Sequence, residues 1–190
     1  LTAGGGQNPA RQAAINAGIN ISKPAHIVNQ VCGSGLRAVI SGYQSIKLGE
    51  VKNVISGGQE NMSLAPHSIF YRDSKKILEE HLIDTMINDG LIDAFNNYHM
   101  GVTAENVAKK FNISRVEQDD FALNSQKKTE TAINTNRFKE ELIKINQSGI
   151  NLEKDEHPRK DLNKSDLGKL KAVFLKAVSY THLRAHETSL

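Results

Sequence analysis

One segment near the start limits the fold of this chain more than any other. An apolar run at 26–31 feeds Cys32-Gly33-Ser34-Gly35, a helical pattern follows over 36–48, Gly49 stops it, and a second apolar run fills 51–56. Short apolar runs bounded by glycine read as buried strands, so the segment predicts a strand, a helix and a second strand. A crossover of that length implies parallel strands and an α/β class. The loop after the second run, Gly57-Gly58-Gln59-Glu60-Asn61-Met62-Ser63, then falls where open α/β sheets bind ligands.

Cys32 is the only cysteine and sits at the hinge of this unit. A strand that feeds a glycine turn and then a helix lifts the residue between them onto the helix N-terminus. Free amide N–H groups and the helix dipole favour a thiolate there. A lone cysteine is more often an inert small core residue. The glycines at 33 and 35 favour the reactive reading, because they let a substrate approach the backbone closely. Two other readings compete. Gly33-Ser34-Gly35-Leu36-Arg37-Ala38 fits the dinucleotide fingerprint, but the acidic residue that should end the second strand is missing until Glu60. A serine-hydrolase elbow at Ser34 fails because Cys32 stands where that motif needs glycine.

Elsewhere, Asn8-Pro9 predicts a helix start running to Gly18, and 19–24 reads as a loop. The pattern weakens over 64–97, with charge concentrated at 72–80, and reads as an inserted loop region. Regularity returns at 103–108, and Ser114-Arg115-Val116-Glu117 predicts a capping box for a helix reaching about Thr135. Residues 141–146 suggest a strand and 151–171 a polar surface loop around Pro158. The last stretch, 179–190, changes character and reads as a non-native tail. His182 and His186 there have metal-pair spacing, but Leu183 stands where a zincin needs glutamate, and no metal site is expected.

Composition narrows the class. Of the 190 residues, 38% are hydrophobic and 24% charged, and no run approaches the ~20 apolar residues of a membrane span. A single cysteine allows no internal disulfide and fits a reducing, cytoplasmic setting. The net charge of +3, with 5% aromatic residues and no tight basic block, argues against nucleic acid. It leaves room for an anionic, nucleotide-bearing small molecule. The chain opens on Leu1-Thr2-Ala3-Gly4 and reads as the middle of a longer one.

Four segments in order carry a family resemblance: Gly6-Gln7-Asn8-Pro9-Ala10-Arg11-Gln12, Asn29-Gln30-Val31-Cys32-Gly33-Ser34-Gly35, Gly57-Gly58-Gln59-Glu60-Asn61-Met62-Ser63, and Tyr98-His99-Met100-Gly101-Val102-Thr103-Ala104-Glu105-Asn106. Together they closely resemble the thiolases, most nearly the acetyl-CoA acetyltransferase branch, from Leu1 to about Phe174. The resemblance implies a layered α-β-α fold, here an incomplete N-terminal domain with an inserted loop domain. It divides the chain into a nucleophile-bearing core at 1–63, a loop domain and CoA-binding region at 64–178, and the tail at 179–190. Cys32 matches the catalytic, acyl-accepting cysteine. Leu91, His99 and Met100 match residues lining the acyl and pantetheine pocket, and Arg159 matches a basic residue near the nucleotide end of CoA. Each has a plainer reading, as core, a backbone-bonded histidine or solvated surface.

The implied reaction is the reversible Claisen condensation of two acetyl-CoA to acetoacetyl-CoA and CoA through an acetyl-cysteine. No permanent cofactor is implied; coenzyme A thioesters are the substrates, and the complete protein is expected to form a homotetramer with no nucleic-acid or membrane partner. The family's second domain supplies an activating histidine and a second cysteine that these residues lack, so the fragment alone is expected to be inactive and poorly soluble. A 3-ketoacyl-CoA thiolase of broader chain length is the nearest rival. A non-catalytic CoA-binding or assembly module is the rival from another class.

Overall fold

The computed structural model describes residues 2–72, 82–147 and 149–174. Most of the charged stretch at 72–80, and the whole tail with His182 and His186, lie outside the described residues. The chain forms two compact units, Leu1–Asn97 and Tyr98–Leu190.

In the first unit, helix α1 (Pro9–Asn16) starts at Asn8, whose side chain accepts from Arg11 N–H. The same side chain donates to the Ala25 carbonyl at 2.8 Å, tying the helix start to the chain that leads toward Cys32. Arg11 completes the tie, its guanidinium donating to the carbonyls of Lys23 and, at 2.6 Å, Ile21. The Asn-Pro-x-Arg pattern thus acts as a clasp around the expected loop as well as a helix start. Helix α2 (Ser34–Lys47) follows the Cys32 turn. Beyond it lie a single 3-10 turn (Met62–Leu64), the short antiparallel pair β1 (His67–Ser68) and β2 (Ile83–Asp84), and a π turn (Ile87–Leu91).

The expected strands at 26–31 and 51–56 do not form ladders among the described residues. For the first, the reason is local. Amides a sheet would use are taken by nearby side chains: Gln30 N–H donates to Ser34 Oγ at 2.8 Å and Val31 N–H to Asn29 Oδ1 at 3.1 Å. The second run lies along α2 instead. Ser56 Oγ donates to the Ala38 carbonyl at 3.1 Å, and a Cβ placed on Gly42 would come within 2.9 Å of Val54 and 2.8 Å of Ser56 Oγ. The close helix contact expected of a crossover unit is therefore present without a neighbouring strand. The apolar side of α2 stays open, with Leu36 70% and Tyr43 60% exposed.

The second unit holds the hydrophobic core. Helix α3 (Met100–Phe111) leads to α4 (Arg115–Asn134), the hairpin β3 (Ile145–Gln147) with β4 (Ile150–Leu152), and the short helix α5 (Lys164–Gly168). Ala122 and Leu123 of α4 pack against Leu167 of α5, with Leu162 at the edge. The expected strand at 141–146 is thus shifted into a hairpin. The polar stretch at 151–171 also contains a helix, because Asn163 and Asp166 cap its start reciprocally and Leu167 is buried.

The capping box of α4 forms as its sequence requires. Glu117 accepts from Ser114 N–H and Oγ, both at 2.7 Å, while Ser114 Oγ accepts from Glu117 N–H. Those donors, the Ser114 amide first, hold the Glu117 carboxyl below its usual range. Ser114→Ala should cost about 1 kcal/mol of stability at neutral pH, read as a lower unfolding midpoint. A depressed carboxylate stabilises above its unfolded pKa and stops doing so as pH falls through the folded value. The gap between Ser114→Ala and wild type should therefore narrow on acidification. An equal gap at both pH values would contradict the carboxylate's part in the cap.

Candidate functional site

Cys32 sits immediately before Gly33, the N-cap of α2, and its thiol is free and exposed. The turn that presents it is tight. Val31 adopts φ +48°, a left-handed conformation that costs a β-branched residue about 1–3 kcal/mol. Side chains and amides on both sides hold the turn: Ser34 Oγ donates to the Val31 carbonyl at 2.7 Å, Gly33 N–H to the Gln30 carbonyl at 3.0 Å, and Ser34 N–H to the Val31 carbonyl at 3.1 Å. A strained turn persists only where its surroundings over-determine it, and such turns gather at functional positions. Asn29 and Ser34 supply that support and were not singled out as pins from the sequence. Their offsets of two and three residues from Val31 are a known side-chain turn signature, which could have identified them.

Leu91 ends the π turn of the first unit and is half-buried. The turn is closed by Ile92 N–H donating to the Ile87 carbonyl at 3.0 Å. Single π turns are rare and concentrate at functional places.

His99 and Met100 come together at the start of α3 in the second unit. His99 is the N-cap: its Nδ1 accepts from Gly101 N–H at 2.9 Å, and its ring stacks on Phe174 with centroids 5.0 Å apart and planes at 28°. Met100 is the first residue of the helix and is 37% exposed. Arg159 occupies an exposed loop that is fixed by its backbone, whose N–H donates to Gln126 Oε1 of α4 at 3.0 Å. Fixing the main chain leaves the guanidinium available to an anionic group. Phe174 and Gln126 complete these arrangements from distant sequence positions. Neither carries a local motif.

Among the described residues, no three His, Cys, Asp or Glu side chains gather as a metal site, and no helix is long and apolar enough to cross a membrane.

The sequence pattern described as "Thiolase, N-terminal domain" matches residues 1–183. This chain belongs to the thiolase family. The α/β class expected from the crossover unit is that of this family's N-terminal domain, and the thiolases are acyltransferases. The thiolase match also extends past 179, into the stretch that changes character. Curated relatives agree. The chain is 48% identical to the acetyl-CoA acetyltransferase of Rhizobium meliloti, over 95% of this chain and 47% of that protein. It is 46% identical to that of Cupriavidus necator, over 97% of this chain and 49% of the relative. With the acetyl-CoA acetyltransferase of Paracoccus denitrificans, identity reaches 52% over 76% of this chain and 37% of the relative. The chain thus spans about half the length of the curated thiolases it matches most broadly.

Proposed function

We propose that the full-length protein carrying this segment is an acetyl-CoA C-acetyltransferase that works through an acetyl group on Cys32. One observation carries the reading most directly: the exposed thiol stands in a strained, well-pinned turn at the start of α2, in a chain close to half identical to proteins of that name. The Cys32 thiolate attacks the thioester carbonyl of acetyl-CoA, the carbon–sulfur bond to CoA breaks, and CoA leaves as a thiolate that takes up the proton the Cys32 thiol gave up. The amides flanking Cys32 are engaged within the turn, which fixes the backbone so that Cys32 N–H can donate to the developing oxyanion. A second acetyl-CoA then gives up an α-proton. Its carbanion attacks the acetyl carbonyl, and acetoacetyl-CoA forms as the Cys32 thiolate is released. The resemblance implies that an activating histidine and a second cysteine, which these residues lack, move the protons in these steps. Such general acid–base help is worth about 10²–10⁴-fold, so the 190 residues alone are expected to be inactive.

In this reading, the resemblance assigns His99, Met100 and Leu91 each to contacts with the acyl and pantetheine part of the substrate, and Arg159 to the neighbourhood of the nucleotide end of CoA. Coenzyme A thioesters are substrates, no cofactor is held permanently, and the complete protein assembles as a cytoplasmic homotetramer. The nearest rival, a thiolase of broader chain length, is separated by kinetics. The full-length protein should cleave acetoacetyl-CoA with a kcat/KM at least about tenfold above that for a long-chain 3-ketoacyl-CoA, a margin two pocket methylenes can supply. A preference for the long chain would favour the rival. Absence of turnover with both would favour the binding-module reading.

A further inference from the structure

We infer that Phe174 and Gly101 are positioning residues that hold His99 as a hydrogen-bond donor through Nε2. Three observations converge on the ring. First, His99 Nδ1 accepts the Gly101 amide at 2.9 Å as the N-cap of α3. A nitrogen that accepts a hydrogen bond carries no proton, so the neutral ring holds its proton on Nε2. Second, Phe174 stacks on the imidazole at 5.0 Å and 28°, which holds the ring plane and, together with the cap at Nδ1, the direction of Nε2. Third, a Cβ on Gly101 would overlap Cε2 and Cζ of Phe174. Only glycine lets the second helical residue both donate to His99 and leave room for the ring that stacks on it.

The consequence for chemistry is specific. His99 cannot act as a base through Nδ1 without giving up its helix cap, so it can only donate, from Nε2, to an acceptor such as an amide carbonyl or hydroxyl. This rests on the proposed thioester reading for the identity of that acceptor. The tautomer itself does not depend on it.

Two isosteric changes separate the roles. His99→Asn places an oxygen where Nδ1 stands and keeps the cap, but removes the remote donor. His99→Gln retains an N–H near the Nε2 position and loses the cap. In the full-length protein, His99→Asn should lower the unfolding midpoint less than His99→Gln does and raise KM for acetoacetyl-CoA about 3- to 10-fold with little change in kcat. His99→Gln should lower the midpoint and partly restore KM. Phe174→Ala should raise KM similarly on its own, yet add little in the His99→Asn background, because it acts through His99. Additive effects of the two changes would overturn the positioning role of Phe174. An independent readout is the long-range proton–nitrogen correlation spectrum of the protein labelled at histidine, with the His99 signals assigned by their loss in His99→Asn. Wild type should show the Nε2–H tautomer, and Gly101→Ala should convert it to a mixture. An Nδ1–H tautomer in wild type would overturn the inference whether or not the protein turns over acetoacetyl-CoA. Lack of turnover beside an Nε2–H spectrum would instead count against the thioester reading alone.

Discussion

Exchanging Cys32 for serine in the full-length protein should lower acetoacetyl-CoA thiolysis by at least about 10⁴-fold, the scale on which enzymes lose turnover with their nucleophile. Serine keeps the size of the side chain and its place in the turn, but a hydroxyl without a base is a far weaker nucleophile than a thiolate. The fold should be unaffected. Cys32 is exposed, and the bonds that pin the turn come from Asn29, Ser34 and the backbone. Substitutions at exposed positions away from special features stay within about 0.5 kcal/mol. An unchanged unfolding midpoint beside lost turnover would therefore separate chemistry from structure. Residual thiolysis above a tenth of wild type would remove Cys32 from the reaction.

Arg115→Ala should give the largest loss of stability, about 2–4 kcal/mol. Arg115 joins three groups at once. Its Nε donates to Asp119 Oδ1 at 2.8 Å, and its Nη2 to the carbonyls of Leu167 at 2.9 Å and Leu170 at 3.3 Å. Those carbonyls lie in and just beyond the last turn of α5, and that of Leu167 also accepts from Leu170 N–H at 3.0 Å. The Asp119 side chain is 9% exposed, so removing its cation leaves a largely buried carboxylate without that partner, the costly way to break an ion pair. The surrounding packing would suffer too, since Leu167 is 4% exposed and joins Ala122 and Leu123 in the core. Arg115→Lys should recover only part of the loss, because one ammonium cannot span a carboxylate and two carbonyls as the guanidinium fork does. Denaturant unfolding of the three proteins measures this. A loss below about 0.5 kcal/mol for Arg115→Ala would show that α5 is held by apolar packing alone.

Local signals were legible in the sequence wherever a short motif settles its own geometry. Asn8-Pro9 and the Ser114 to Glu117 box mark the starts of α1 and α4 as observed, and Gly49 follows the end of α2. The family resemblance was legible for a related reason: it is carried by glycines, a cysteine and polar residues at fixed offsets within four short segments. What the pattern did not reveal depends on partners distant in sequence. The run at 26–31 is apolar enough for a strand, but Asn29 and Ser34 claim its amides, a competition that hydrophobic patterning does not register. Phe174 meets His99 across 75 positions of chain, and Gln126 meets Arg159 across 33. Neither pair has a local signature. The helix at Lys164–Gly168 was hidden within charged sequence because only Leu167 of it is buried.

The most direct measurement is peptide mass spectrometry of the full-length protein after brief incubation with acetyl-CoA and rapid acid quenching. The expected result is one acetyl group on the peptide that contains Cys32, removed when CoA is added before the quench and absent from Cys32→Ser. Acetylation confined to another residue, or unchanged in Cys32→Ser, would contradict the assignment of Cys32 as the acyl carrier.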